Sequence, residues 1–262
     1  MPDDDGGTQF AKNLKTSAAR VKKRLAAYLD DPGDEENVHA MRTSLRRLEA
    51  ALSLLPKKER KRNRKRADAC KAFFRANSRV RDLDIVRARV TALGGEQQFV
   101  SAVAGRRKAA LGWALALARS VEKNKTVAAK NIDGDELAAR MDKVAGRLTL
   151  SIKERLPAVA GDGSKKEEIH ELRKDMKKLR YVLEILPAGR RKKHGRQVAQ
   201  AVGGNSKSAV ARLKELQAML GQIHDCDITI EYLQGVKGAE AMLQKEKSER
   251  DALYEKFTKT IS

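Results

Sequence analysis

The chain is poor in cysteine, proline and aromatic residues, and each scarcity excludes a class of protein. Only two cysteines occur in 262 residues, without CxxC spacing, which disfavours a disulfide framework or a cysteine zinc site and favours a reducing compartment. Only five prolines occur, and Ala, Leu, Lys, Arg and Glu, which favour helix, dominate. Alternating runs of β-branched and aromatic residues, typical of strands, are absent. We therefore predict an all-α fold.

Long apolar runs are also absent. The longest, AALGWALALA at 109–118, is about half the length that a helix needs to cross a bilayer. The N-terminal stretch MPDDDGGTQF is acidic and polar, unlike a signal peptide. These features predict a cytoplasmic protein without a membrane span.

Positive charge, by contrast, is abundant. The sequence has 56 Lys and Arg against 35 Asp and Glu, which leaves a formal net charge of +21. Such an excess repels itself in the folded state and attracts anionic polymers or anionic membranes. It predicts an anionic partner without choosing between these classes.

One stretch of the sequence occurs twice. VHAMRTSLRRLEAALSLLP at 38–56 has a counterpart 131 residues later, IHELRKDMKKLRYVLEILP at 169–187. A basic cluster follows each copy, and RDLD at 81–84 matches HDCD at 224–227, with an offset of 143. Because these features recur in the same order, we interpret the chain as an internal duplication.

Capping residues, glycines and prolines divide each half into four predicted helices. Asp34 is predicted to cap the helix of the first copy, and Ser164 with Glu167 to form a capping box for the second. Pro157 is predicted to end the helix that precedes the second copy. The predicted helices are 8–30, 34–56, one from the basic segment to 93, 96–121, 133–156, 164–187, one from the GGNS break at 203–206 to 232, and one to the C-terminus.

The polar segment 122–135 is predicted to link the two halves. Four helices, a linker and four more helices suit two antiparallel four-helix bundles, 8–122 and 133–262.

Each repeated helix carries an apolar stripe and a cationic stripe. At 100° per residue, the apolar positions of each copy share one side. They are Val38, Met41, Leu45, Leu48, Leu52 and Leu55, and Ile169, Leu172, Met176, Leu179, Leu183 and Leu186. The cationic stripe contains His39, Arg42 and Arg46 in the first copy, and His170, Arg173, Lys177 and Arg180 in the second.

The cationic stripe has few acidic partners at i+4. Stacked like charges destabilise an empty helix, so a bound anion is the natural compensation, with a plain solvated face as the alternative. Arg and Lys bind phosphate strongly. Nucleic acid offers phosphates too, but both stripes lack the aromatic residues on which bases stack, and no C₂H₂, RNP or clear helix-turn-helix pattern occurs. We therefore favour polyphosphate over nucleic acid.

HDCD at 224–227 could also be interpreted as the metal-binding pair of a phosphohydrolase. The corresponding first-half residue is Arg81, which cannot ligate a metal, so neither a metal nor catalysis is expected.

The repeated helices resemble a known family. IHELRKDMKKLRYVLEILP resembles the signature helix of the CHAD family, the histidine-containing α-helical domains, and VHAMRTSLRRLEAALSLLP its first-half equivalent. RVRDLDI and LGQIHDCDI are similar to the LGxxRDxD-type segment of that family. The resemblance extends from about residue 8 to 262. It implies two pseudo-symmetric four-helix bundles with a basic groove or cavity between them, and binding of inorganic polyphosphate without catalysis or a cofactor. Association with polyphosphate granules is compatible with it.

The resemblance also implies a set of binding residues. It contains the two cationic stripes, with Lys214 and Lys71 as weaker candidates. Strict equivalence of the halves is not expected, because they differ at equivalent positions such as Glu49 and Arg180, Ser78 and Gly221, and Arg81 and His224. The ExExK motif of a triphosphate-tunnel domain, often joined to family members, is not found, so the CHAD module alone is expected.

The remaining histidines, basic runs, cysteines and aspartates are each given a predicted role. His39 and His170 are predicted to donate to phosphate, with a buried role or a metal site with His194 and His224 as alternatives. The basic runs 57–66 and 190–196 are interpreted as solvated surface that attracts polyanions, with a nucleic-acid-binding tract as the alternative. Cys70, Cys226 and Trp113 are predicted to be buried, and Asp82, Asp84, Asp225 and Asp227 to pair with cations.

Overall fold

The computed structural model describes residues 4–123, 127, 132–203 and 209–261, and every regular element in these ranges is an α-helix. The predicted all-α fold is confirmed. The helices are α1 Asp4–Asp30, α2 Glu35–Leu54, α3 Lys57–Arg62, α4 Arg64–Ala92, α5 Gln97–Lys123, α6 Gly134–Gly161, α7 Lys166–Ile185, α8 Ala188–Val202, α9 Ala209–Leu233 and α10 Glu240–Ile261.

Three pairs of helices begin with the same offsets as the sequence motifs. Helices α2 and α7 each have 20 residues and begin 131 positions apart. Helices α3 and α8 also begin 131 positions apart, and α5 and α10 begin 143 apart. The duplication therefore extends to where individual helices start.

The predicted number of helices per half is too low. Most of the basic cluster after Pro56 forms the short helix α3, which ends at Arg62 with Asn63 as its C-cap before α4 begins at Arg64. The cluster after Pro187 begins the 15-residue helix α8, which was not predicted. Each proline ends one helix because it cannot continue the hydrogen-bond ladder, and its fixed φ suits the start of the next.

The predicted cap at Asp34 and the predicted end of the first helix are correct, whereas its start is at Asp4 rather than residue 8 and the capping box at Ser164 is wrong. Asp34 is the N-cap of α2 and accepts from the Glu36 backbone N–H at 2.9 Å, and α1 ends at Asp30. Helix α7 begins at Lys166, so Ser164 precedes its N-cap, and the Ser164 hydroxyl donates instead to Asp162 Oδ1 at 2.6 Å.

Pro157 lies inside α6 rather than at its end. The helix continues because tertiary contacts hold its last turn. Val159 is fully buried, and the Tyr254 hydroxyl donates to the carbonyls of Val159 at 2.7 Å and Ala160 at 3.1 Å. These bonds satisfy carbonyl groups that have no partner within the last turn of a helix.

Most of the predicted linker 122–135, and Gly204, Asn205 and Ser206 of the GGNS break, lie outside the described residues. At their edges, α5 continues to Lys123 and α6 begins at Gly134.

The chain divides into two compact units. Unit 1 comprises Met1–Arg81, Arg106–Ala145 and Glu184–Arg190, and unit 2 comprises Asp82–Gly105, Gly146–Leu183 and Arg191–Ser262. Helices α4 to α8 each contribute residues to both units. The division into bundles 8–122 and 133–262 therefore stays a prediction about the repeats.

The predicted apolar stripes form the cores of these units. In unit 1, α1 packs on α2, and the stripe from Val38 to Leu55 is buried, with Leu52 the most accessible at 7%. In unit 2, the stripe from Ile169 to Leu183 is buried beside the packed pair α9 and α10. Full burial of each large aliphatic side chain contributes about 1.5–3 kcal/mol.

The prediction that Trp113 is buried is wrong, since its side chain is 66% exposed. Helix α5 turns Ala114 and Ala118 inward at this level, which places position 113 on the outer side. No helix in the described ranges is long and apolar enough to span a membrane.

Candidate functional site

In unit 2, side chains of α7 meet side chains of α9. His170 Nδ1 lies 3.4 Å from His224 Nδ1, and Arg180 Nε donates to Gln217 Oε1 at 3.1 Å. The residue number rises along α7 from His170 to Arg180, while that of the contacted residue on α9 falls from His224 to Gln217, so the two helices are antiparallel here. We define the α7–α9 face as His170, Arg173, Lys177 and Arg180 on α7, with Lys214, Gln217, Gly221 and His224 on α9.

The two histidines of this face form a close, half-buried pair. Their ring centroids are 4.7 Å apart and tilted by 47°. Burial, followed by the nearby Arg173 and Lys174 cations, lowers the pKa of His170. The imidazole is therefore held neutral at pH 7, and anion binding would favour its protonated form.

The carboxylates of α7 that flank the cationic stripe have other partners. Glu171 pairs with Lys174. Asp175 accepts from the Ser151 hydroxyl at 2.7 Å and lies 3.8 Å from Arg155 Nε.

In unit 1, α2 meets α4 in the same arrangement. Arg42 Nη1 donates to Ser78 Oγ at 2.8 Å. The guanidinium carbons of Arg42 and Arg46 lie 4.6 Å and 3.9 Å from the ring centroid of Phe74. We define the α2–α4 face as His39, Arg42 and Arg46 on α2, with Lys71, Phe74, Ser78 and Arg81 on α4.

The two faces share one register. The offset of 131 relates α2 to α7, and the offset of 143 relates Lys71, Phe74, Ser78 and Arg81 to Lys214, Gln217, Gly221 and His224. With these offsets, the Arg42–Ser78 contact corresponds to Arg173 opposite Gly221. This equivalent position in unit 2 lies one helical turn from the His170–His224 contact. The duplicated sequence thus builds the same antiparallel helix pair in both units.

The carboxylate of Glu49 on α2 borders the α2–α4 face and pairs with one of its cations. Arg46 Nη1 lies 3.0 Å from Glu49 Oε2, with both side chains partly exposed. The expectation of few acidic partners concerned position i+4, and Glu49 pairs with Arg46 from position i+3. In the α7–α9 face, Arg180 takes the place of Glu49.

The structure brings together much of the predicted set. Four of its residues contact the facing helix directly: His170, Arg180, Arg42 and Arg46. Arg173 and Lys177 are half-buried on the same side of α7, while His39, Lys71 and Lys214 are exposed.

Sequence reasoning did not assign six members of the faces to the binding set: Phe74, Ser78, Arg81, Gln217, Gly221 and His224. The sequence contained a signal for them. They lie three, seven and ten positions after Lys71 or Lys214, which is the spacing of residues on one side of a helix, and the offset of 143 that pairs these lysines also pairs them.

Several other predictions concern residues outside the faces. Asp227 pairs with Arg250 at 2.6 Å, as predicted for a cation partner. His194 is buried and bonds Gln197 Oε1 at 2.9 Å. In the described part of the chain, no three His, Cys, Asp or Glu side chains converge as metal ligands.

Both cysteines are buried, as predicted, and burial raises the pKa of Cys70 to about 11 and that of Cys226 to about 12. The run 57–66 is not wholly solvated, since Glu59, Asn63 and Arg66 are buried.

These observations define an all-α protein with an internal repeat and two cationic helix-pair faces. The CHAD domain family model matches residues 12–234, and the chain belongs to the CHAD family. It is also similar to a solved structure, the crystal structure of the CHAD domain from the plant Ricinus communis. The identity is 17% and the TM-score 0.55, over 97% of this chain and 87% of that chain, a likeness of fold. The comparison with curated proteins found no match.

Proposed function

We propose that this protein binds inorganic polyphosphate through the α2–α4 and α7–α9 faces and acts as a binding protein rather than an enzyme. The observation that carries the proposal is the repeated register, in which arginines of the cationic stripe contact polar side chains of the facing helix in each unit. A polyphosphate chain presents acceptor oxygens and negative charge at every unit of its length. Arg and Lys bind such oxygens through charge-assisted hydrogen bonds.

The aromatic rings near the faces favour polyphosphate over single-stranded nucleic acid. Base stacking needs an accessible ring. The Phe74 ring is already stacked by Arg46 at 3.9 Å, and Tyr181 is 3% exposed. Nucleic acid remains the alternative partner because its backbone attracts the same cations. In a competition assay, we expect long-chain polyphosphate to displace DNA or RNA at much lower phosphate concentration than the reverse.

A charge-removal series tests the site. Replacing Arg42, Arg46, Arg173 and Lys177 together by Gln should weaken polyphosphate binding by at least about 100-fold, since each charged hydrogen bond contributes about 1.5–3 kcal/mol. Helix content by circular dichroism should be unchanged. The matched control replaces Lys57, Lys58, Lys61 and Lys65, four exposed cations of the run 57–66. A larger loss in the control would locate binding on that run instead.

Two further measurements separate the proposed class from its competitors. The binding constant should fall steeply with salt, by analogy with other phosphate polymers, and weak salt dependence would contradict electrostatic binding. Incubation of polyphosphate with the protein and Mg²⁺ or Mn²⁺ should release no phosphate. Release above a protein-free blank would favour the phosphohydrolase alternative.

The idea that both faces bind one chain stays a prediction. Binding of polyphosphates of graded length tests it, because a shared chain requires a minimum length for tight one-to-one binding. Independent faces would instead bind two short chains per protein at any length.

A further inference from the structure

We propose that the two faces are functionally unequal: the α7–α9 face is the high-affinity phosphate site, and the α2–α4 face is a weaker one. This inference rests on the proposed function and assigns affinity within it. Three differing positions favour the α7–α9 face, which has Arg180, Gln217 and Gly221 where the α2–α4 face has Glu49, Phe74 and Ser78. A further difference, Arg81 in place of His224, adds one cation to the α2–α4 face and opposes them.

The first difference is a carboxylate. In the α2–α4 face, Glu49 Oε2 lies 3.0 Å from Arg46 Nη1, so a phosphate oxygen that approaches this edge of the guanidinium meets a negative group already bonded there. In the α7–α9 face, the equivalent position holds Arg180. A repelling group is thus replaced by an attracting one.

The second difference is the residue that faces the middle of the stripe. Phe74 presents its ring to Arg42 and Arg46, and a ring face offers no conventional hydrogen-bond donor to phosphate. Gln217 accepts from Arg180 Nε at 3.1 Å. This bond orients the guanidinium, and the Gln217 amide group also supplies N–H donors.

The third difference is space. The Ser78 hydroxyl accepts from Arg42 Nη1 at 2.8 Å, so part of that guanidinium is bonded within the protein. Gly221 occupies the equivalent place on α9, and a Cβ built on it meets no atom within 4 Å. A glycine inside a helix costs about 1 kcal/mol relative to alanine. No neighbouring atom is close enough to require a glycine at this position, so close packing does not explain it. The open space opposite Arg173 is suited to a ligand.

Equivalent residues provide the first test. Arg173→Gln and Arg42→Gln remove the same charge at the same position of the two repeats. With long-chain inorganic polyphosphate at one ionic strength, we expect Arg173→Gln to raise the Kd by at least about tenfold and Arg42→Gln by less than about threefold. Equal losses, or a larger loss for Arg42→Gln, would overturn the inequality.

Residue exchanges between the repeats provide the second test and avoid loss of folding. Gly221→Ser places a small side chain in open space and should weaken binding severalfold. Glu49→Gln changes a partly exposed residue and should tighten binding by about twofold to fivefold, because it removes a competing carboxylate. If neither exchange alters the Kd, these two positions do not determine affinity and the inequality between the faces loses its basis.

The outcomes for this inference and for the proposed function differ. Wild-type protein that does not bind polyphosphate would refute both. Wild-type binding with equal effects in the two faces would refute only the inequality.

Discussion

The buried ion pair between Arg250 and Asp227 allows a quantitative prediction of stability. Arg250 Nε lies 2.6 Å from Asp227 Oδ1, and the two side chains are only 10% and 14% exposed. Arg250 Nη2 also donates at 2.7 Å to the carbonyl of Gly163, in the loop that precedes α7. One guanidinium therefore connects α10, α9 and the entry to the helix that carries His170.

Arg250→Met keeps an apolar stem of similar length and removes both interactions. Breaking a buried ion pair costs about 3–5 kcal/mol because the remaining charge loses its partner, and the lost carbonyl bond costs about 1 kcal/mol. Since the residual exposure lets water reach Asp227, we expect a total of about 3 kcal/mol. At about 2–4 °C per kcal/mol for a chain of this size, Tm should fall by about 6–12 °C.

Lys259→Met is the matched control. Lys259 Nζ and Glu255 Oε1 are also 2.6 Å apart, but their side chains are 73% and 65% exposed. The control should therefore cost much less than Arg250→Met, because solvent screens an exposed pair. Denaturant and thermal unfolding measure both variants. A cost below about 1 kcal/mol for Arg250→Met, or equal costs for the two, would refute the role assigned to burial.

Adding Asp227→Asn to Arg250→Met should recover about 1–2 kcal/mol, since it removes the orphaned charge. No recovery would show that the loss comes from packing or from the Gly163 bond instead.

Three further predictions follow from local environments. Because the pKa of His170 is lowered from its ordinary value of about 6.5, folding stability should decrease as pH falls below 6.5. Polyphosphate affinity should rise over the same pH range, and this rise should be smaller in His170→Gln. Titration calorimetry at several pH values measures both proteins. The same pH dependence in wild type and variant would exclude His170 as a phosphate contact. Cys70 and Cys226, with raised pKa values, should react with a thiol reagent at pH 8 only after unfolding, and fast native labelling would contradict their burial. Gly163→Ala should cost about 1–3 kcal/mol, because its Cβ would lie 2.8 Å from Tyr254 Cε1. Gly146→Ala, where a Cβ meets nothing within 4 Å, should stabilise by up to about 1 kcal/mol; equal effects would contradict this packing.

Local signals predicted most of the helices and the orientation of α2 and α7. Asp34 was predicted as a cap because its side chain can bond an N–H two residues away. The helical spacing of the apolar residues from Val38 to Leu55 predicted which side of α2 is buried, since that spacing alone determines the side. The boundary at Pro157 was wrong because Tyr254, distant in sequence, satisfies the end of α6.

The candidate site, too, was predicted from the sequence only in part. The sequence by itself determined the duplication, the all-α fold and the cationic stripes, because residue type and helical spacing encode them within single segments. Only the tertiary structure decided that Phe74 stacks on the arginines of α2, that Gln217 and His224 complete the face of α7, and that Trp113 points outward. Those contacts depend on which sides of two separate helices meet, and the periodicity of either helix alone carries no information about its partner's register.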